Sequence, residues 1–139
     1  MTRDDQTRSP MSGQRFLLGV YLTNATLILC HEIDSAYWRE WDLFLVPGGA
    51  TGFVAVHLLL IPMVLVGLLL VERERPFAKA LSLVVALGGI AGCIAHGIFL
   101  LSGDERFRTP FSIGLIVAFG LSSALLLVAL MSSRKTRAR

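Results

Sequence analysis

The stretch LILCHEIDSAYWREWDLF, residues 27–44, opens as sequence suited to hydrocarbon and becomes acids, a histidine and aromatics within a turn. It ends an apolar run from Phe16 to Cys30. As a helix that run rises only about 22 Å at 1.5 Å per residue, whereas the hydrocarbon core of a bilayer is roughly 30 Å thick. To span, the helix must continue through His31 and Glu32 toward Asp34. The cluster is therefore expected at a membrane boundary and not in a free loop.

Three further apolar runs, Thr51–Val71, Phe77–Leu101 and Phe111–Met131, are long enough to cross outright. They explain why a 139-residue chain is 54% hydrophobic with a mean hydropathy of +0.67. A soluble bundle would need a polar stripe on each helix. VHLLLIPMVLVGLLLV (56–71) and GLIVAFGLSSALLLVAL (114–130) carry none. The expected fold is all-α: a four-helix transmembrane up-down bundle, with a short interfacial helix in the first outer loop. Its expected division is a disordered cytoplasmic N-terminus (1–14), a membrane domain (15–131) and a basic cytoplasmic tail (132–139). The spans are expected at about 15–34, 51–71, 77–101 and 111–131. Asp4 and Asp5 precede the first run and no small-x-small cleavage site follows it, so that run reads as a retained span and not a cleaved signal.

Orientation follows from the basic residues. Arg3, Arg8, Arg15, Arg73, Arg75, Lys79, Arg134, Lys135, Arg137 and Arg139 fall on one side, and only Arg39, Arg106 and Arg108 on the other. The positive-inside rule then places both termini in the cytoplasm, with an inner (cytoplasmic) membrane as the expected location. The net charge of +3 is accounted for by topology signals beside anionic lipid. Lipid is the expected partner and nucleic acid is not. The same rule places His31, Glu32 and Asp34 on the outer side.

After the cluster, Tyr37, Trp38 and Trp41 recur at helical spacing beside Arg39, Glu40 and Asp42. This pattern predicts an interfacial helix over Ser35–Phe44, rings in the headgroup layer and Glu40 and Asp42 on a solvated face. VPGGATG (46–52) turns the chain back. In the third span, Gly88, Gly92 and His96 share one i, i+4 line, and Gly89, Cys93 and Gly97 the next. In the fourth, Gly114, Ala118 and Ser122 do the same. Such small-residue lines predict close helix contacts.

The chain has three histidines, His31, His57 and His96, one on each of the first three spans. His31 ends its span, while His57 and His96 lie about 9 Å and 8 Å inside theirs by helical rise. All three therefore share one outer layer. On the first span Asn24, His31 and Ser35 nearly superpose on the helical wheel, flanked by Tyr21 and Asp34, a polar stripe that calls for the bundle interior.

Ionisable groups inside a membrane are costly and mark functional sites. One account is a metal site made of His31, His57 and His96 with Asp34, suited to zinc or another divalent transition metal. Glu32 is about 100° around the helix from His31, which favours Asp34 as the ligand and leaves Glu32 as a candidate general base in a hydrolytic reaction. Three alternatives stand beside it. The histidines also read as hydrogen-bonding helices together in a non-catalytic accessory subunit, as axial haem ligands through His57 and His96, or as part of a proton or ion path. Cys30 and Cys93 form no C-x-x-C pair and read as small packing residues.

HEIDSAYWREWDLFLVPGG resembles a group of small, uncharacterised bacterial four-span membrane proteins with a His-Glu-Ile/Leu-Asp signature followed by a Glu-Trp pair and a proline turn. Here these are His31 to Asp34, Glu40-Trp41 and Pro47-Gly48. The resemblance implies a bacterial multi-pass protein and adds weight to His31, Glu32, Asp34, Glu40 and Trp41. It brings no activity.

The charge asymmetry generates a direct test. A reporter active only in the cytoplasm, fused after Arg139, is expected to give signal. A silent but stably expressed fusion would reverse the orientation and move the histidine layer to the inner leaflet.

Overall fold

A computed structural model describes residues 10–103, 106 and 108–135. The order of elements is α1 (Pro10–Tyr37), α2 (Glu40–Leu43), α3 (Gly49–Glu72), α4 (Ala78–Leu101) and α5 (Pro110–Lys135). Among the described residues there is no strand. The four long helices follow the four apolar runs, and each is long and apolar enough to cross a membrane. The fold is the expected all-α four-helix bundle.

Most of the expected disordered segment, residues 1–9, and the last four residues of the expected basic tail lie outside the described residues. α1 starts at Pro10, a residue whose fixed φ and missing N–H suit a first helical position. The helix takes in Gln14, whose side-chain amide donates to the Val71 carbonyl on α3.

Side-chain pairs define the packing. Along α1 and α3, Gln14 meets Val71, Tyr21 meets Val64 and Glu32 meets His57. One index rises as the other falls, so the helices are antiparallel. Asn24 meets Ser122 and Ser123 while Asp34 meets Ser112, which makes α1 and α5 antiparallel too. The helices form a ring in which α1 touches α3 and α5, and α4 touches α3 and α5. The closest packing is α4 on α5 and α1 on α5.

The polar stripe read on α1 does face inward. Tyr21, Asn24, His31 and Ser35 are all buried. Tyr21 donates its O–H to the Val64 carbonyl at 3.0 Å. Gly67 makes room for that phenol, since a Cβ there would run into the Tyr21 oxygen. Asn24 donates its two amide hydrogens to Ser122 Oγ at 3.0 Å and Ser123 Oγ at 2.7 Å. Away from water such a group needs a partner, although each interhelical bond of this kind adds on average only about 0.6 kcal/mol.

The small-residue lines are used differently from the expectation. Gly89 is the close-contact residue of α4, for a Cβ there would collide with Ser123 on α5. Gly120 likewise accommodates Cys93. A Cβ on Gly92 would sit at an ordinary 3.6 Å from Phe119, and Cβ atoms on Gly88, Gly97 and Gly114 would meet nothing within 4 Å. The 89/93 line packs against α5. The neighbouring line, turned one residue around the helix, faces a cavity.

Two alanine substitutions separate these roles. Gly89→Ala is expected to destabilise by about 1–3 kcal/mol, the usual cost of overpacking. Gly88→Ala should be neutral or stabilising by about 0.5–1 kcal/mol through helix propensity. Thermal unfolding in detergent checks both, and equal melting temperatures would contradict the assignment of Gly89.

Candidate metal centre

A break in the chain builds the site. α1 runs on through Tyr37, and Trp38 N–H still donates to the Asp34 carbonyl at 3.0 Å. Arg39 then adopts a left-handed conformation, φ 56° and ψ 48°, which costs a non-glycine residue roughly 1–2 kcal/mol. A new helix starts at Glu40. The short helix of this loop is therefore only Glu40–Leu43, not Ser35–Phe44, because α1 absorbs its first turn.

The break re-aims Glu40. Expected on a solvated face with Asp42, Glu40 is instead 4% exposed, while Asp42 stays exposed beside Arg39 at 3.1 Å. This corrects the sequence expectation. Periodicity places Glu40 correctly only on an unbroken helix, and the left-handed turn at Arg39 resets the wheel.

Glu40 Oε1 lies 3.0 Å from His96 Nε2. On the other side of that ring, Nδ1 is 2.7 Å from the Gly92 carbonyl one turn back on α4. A carbonyl can only accept, so Nδ1 carries the hydrogen. In a neutral ring, Nε2 would then turn its lone pair on a carboxylate oxygen, which is repulsive. The contact must hold either a proton or a cation. His57 repeats the arrangement on α3, with Nδ1 donating to the Phe53 carbonyl at 2.7 Å and Nε2 2.7 Å from Glu32 Oε2.

His31 differs from both. It is 4% exposed, stacked on Phe119 with ring centres 4.5 Å apart, and set edge-on to His96 at 4.6 Å. Among the described residues its Nε2 has only a long 3.4 Å contact with Ser35 Oγ, and its Nδ1 is buried with no hydrogen-bond partner.

One ligand atom from each of His31, Glu40 and His96 lies within 4.8 Å of the others, and all three residues are buried. Tetrahedral ligands at about 2.0–2.1 Å from a zinc ion are about 3.3 Å apart, so small side-chain shifts would close the group on an ion. The buried His-Glu-His group could hold a metal ion. The spacing in the sequence points to His31, His57, His96 and Asp34. The structure brings His31 and His96 together and adds Glu40, while the other two have different partners. His57 is paired with Glu32, and Asp34 Oδ1 accepts a bond from Ser112 Oγ on α5 at 3.1 Å. Ser112 in turn sits 3.2 Å from Trp38 Nε1 and 2.8 Å from Thr109 Oγ1.

Both histidine–glutamate pairs and His31 border one cavity of about 370 Å³, capped by Trp41, Phe44 and Phe53. Four bilayer-length helices around such a site define a multi-pass membrane protein. The chain belongs to a family of unknown function, DUF6713, whose model matches residues 17–133. No curated protein and no solved structure matches it.

Burial of Glu40 has a measurable consequence. Glu40→Ala removes the partner of His96 Nε2 and is expected to destabilise by about 1–3 kcal/mol. Asp42→Ala, which breaks only an exposed ion pair, should change stability by less than about 0.5 kcal/mol. Melting temperatures of the two variants in detergent provide the comparison, and a harmless Glu40→Ala would remove Glu40 from the interior.

Proposed function

We propose that this protein binds a divalent transition metal, zinc being the best chemical fit, between His31, Glu40 and His96 in the outer leaflet of a bacterial inner membrane. The orientation of this proposal rests on the charge asymmetry, which puts both termini in the cytoplasm. The observation that carries the metal assignment is the Nδ1 bond of His96 to the Gly92 carbonyl. Metal-ligating histidines characteristically donate their other N–H to a carbonyl or carboxylate, which fixes the tautomer and aims the free nitrogen. Here the free nitrogen is aimed at a buried carboxylate, with an unpartnered histidine nitrogen beside it. That His57 and His96 each turn Nε2 onto a separate glutamate, and not toward one another, favours an ion over haem.

Two nitrogens and one oxygen leave a tetrahedral ion one open position, the form of a catalytic and not a structural site. A bound ion would act as a Lewis acid and make water more acidic, which supports a hydrolytic role. Glu32, held by His57 on the wall of the same cavity, is the carboxylate available to take a proton. A packing-only, accessory role is the second reading, and the complete hydrogen bonding of His57 and His96 supports it.

Elemental analysis of the purified protein distinguishes the two. About one zinc per chain is expected. His31→Ala, Glu40→Ala and His96→Ala should each lower affinity by more than the roughly 10–100-fold that loss of an outer partner costs. His57→Ala should leave the ion in place. A metal-free wild-type protein that stays metal-free on zinc titration would leave the packing role.

A further inference from the structure

The cavity is polar at one end only. His31, Glu32, Glu40, His57 and His96 border it near α2. Along the bundle its walls are Ile28, Leu60, Met63 and Val64 on α1 and α3, with Val84 and Val85 on α4. From His96 to Val84 the helix rises about 18 Å at 1.5 Å per residue. This is a long slot parallel to the helix axes, with its hydrogen-bonding groups gathered at one end. A compact polar solute would leave most of it empty, and a rigid apolar ring system would leave the polar end unused.

The slot also opens sideways. Val56 on α3 and Val84 on α4 border it while remaining 52% and 51% exposed. Gly88, one turn from Val84, is exposed as well, and a Cβ there would meet open space. These residues sit on helices that cross the membrane, so the opening between α3 and α4 faces hydrocarbon and not water. A ligand using it arrives from the bilayer.

We propose that the slot binds a single-chain lipid that enters between α3 and α4, lays its acyl chain along Met63 and Val84, and presents a carbonyl or carboxylate oxygen to the His31–Glu40–His96 end. This names the ligand class of the proposed metal centre and rests on that centre for what holds the head. An ion held by His31, Glu40 and His96 keeps one open position, which supplies a second reason for an oxygen-bearing head at this end. Gly88 and Gly92 make the slot possible, since larger residues on that line of α4 would project into it.

The test uses the full-length protein purified in detergent and a palmitate bearing a photoreactive diazirine in its chain. Labelling is expected to saturate, to be displaced by excess palmitate, and to map to Met63 and Val84. Gly88→Trp, which fills the slot without touching a ligand residue, should weaken labelling at least tenfold and leave zinc content unchanged. Val84→Trp provides a second block from the mouth. Competition by methyl palmitate as well as palmitate would show that a head carbonyl suffices, and competition by palmitate alone would show that the carboxylate is read. Zinc binding with labelling that neither saturates nor competes overturns the lipid site and leaves the metal centre. Labelling spread over outward-facing Leu59 and Leu121 does the same. Saturable labelling lost in Gly88→Trp, in a protein that never takes up zinc, supports the lipid site and overturns the metal centre.

Discussion

An imidazole in a membrane-spanning helix has one hydrogen to give and one lone pair to satisfy, and here the helix itself takes the hydrogen. His96 gives Nδ1–H to the Gly92 carbonyl, and His57 gives its own to the Phe53 carbonyl. Each Nε2 then points away from its helix toward something that can share a proton or a cation with it. For His57 that group is Glu32 at the end of α1, and for His96 it is Glu40 at the start of α2. Much of the upper bundle follows from this. α2 is drawn over the helix ends, Trp41 and Phe44 come with it as a cap, and the left-handed turn at Arg39 is retained despite its conformational cost.

Deeper in the bundle the buried donors are satisfied without charge. Asn24 finds two serine hydroxyls and Tyr21 finds the carbonyl of Val64. Glycine at 67 and 89 lets these polar groups come close enough to meet. Polar contacts and small residues thus work as pairs. A glycine without a polar group or a neighbouring helix opposite it, as at position 88, leaves space.

Four bilayer-length helices could be read directly from the sequence, because an apolar run without a polar stripe has few alternatives. The inward stripe of α1 is equally legible from Asn24, His31 and Ser35 at helical spacing, and the shared depth of the histidines agrees with their bordering one cavity beside α2. Glu40 was not legible from periodicity. Its direction depends on a left-handed Arg39, and neither glycine nor asparagine marks that turn. Its adjacency to Trp41 in a resembling group of proteins was the one sign of a role. Spacing within α1 points Asp34 to the histidines, but the α5 end supplies Ser112, a partner that helical periodicity within α1 cannot reveal. For the glycines, both lines on α4 were visible, and which of them touched a neighbour depended on a helix rotation that composition does not encode.

The contact between Asn24 and the serines of α5 joins the first long helix to the last. In a chain threaded into the bilayer from its N-terminus, α1 arrives with its asparagine unpartnered and waits for nearly a hundred residues of synthesis before Ser122 and Ser123 exist. Phe119, on which His31 stacks, and Ser112, which holds Asp34, are equally late. The hairpin of α1 and α3 can form early through Tyr21 and Glu32, but Phe119 and Ser112 reach His31 and Asp34 only once α5 has been made. A nascent chain stalled before α5 would therefore leave Asn24 and Asp34 without the partners that α5 brings into the bilayer.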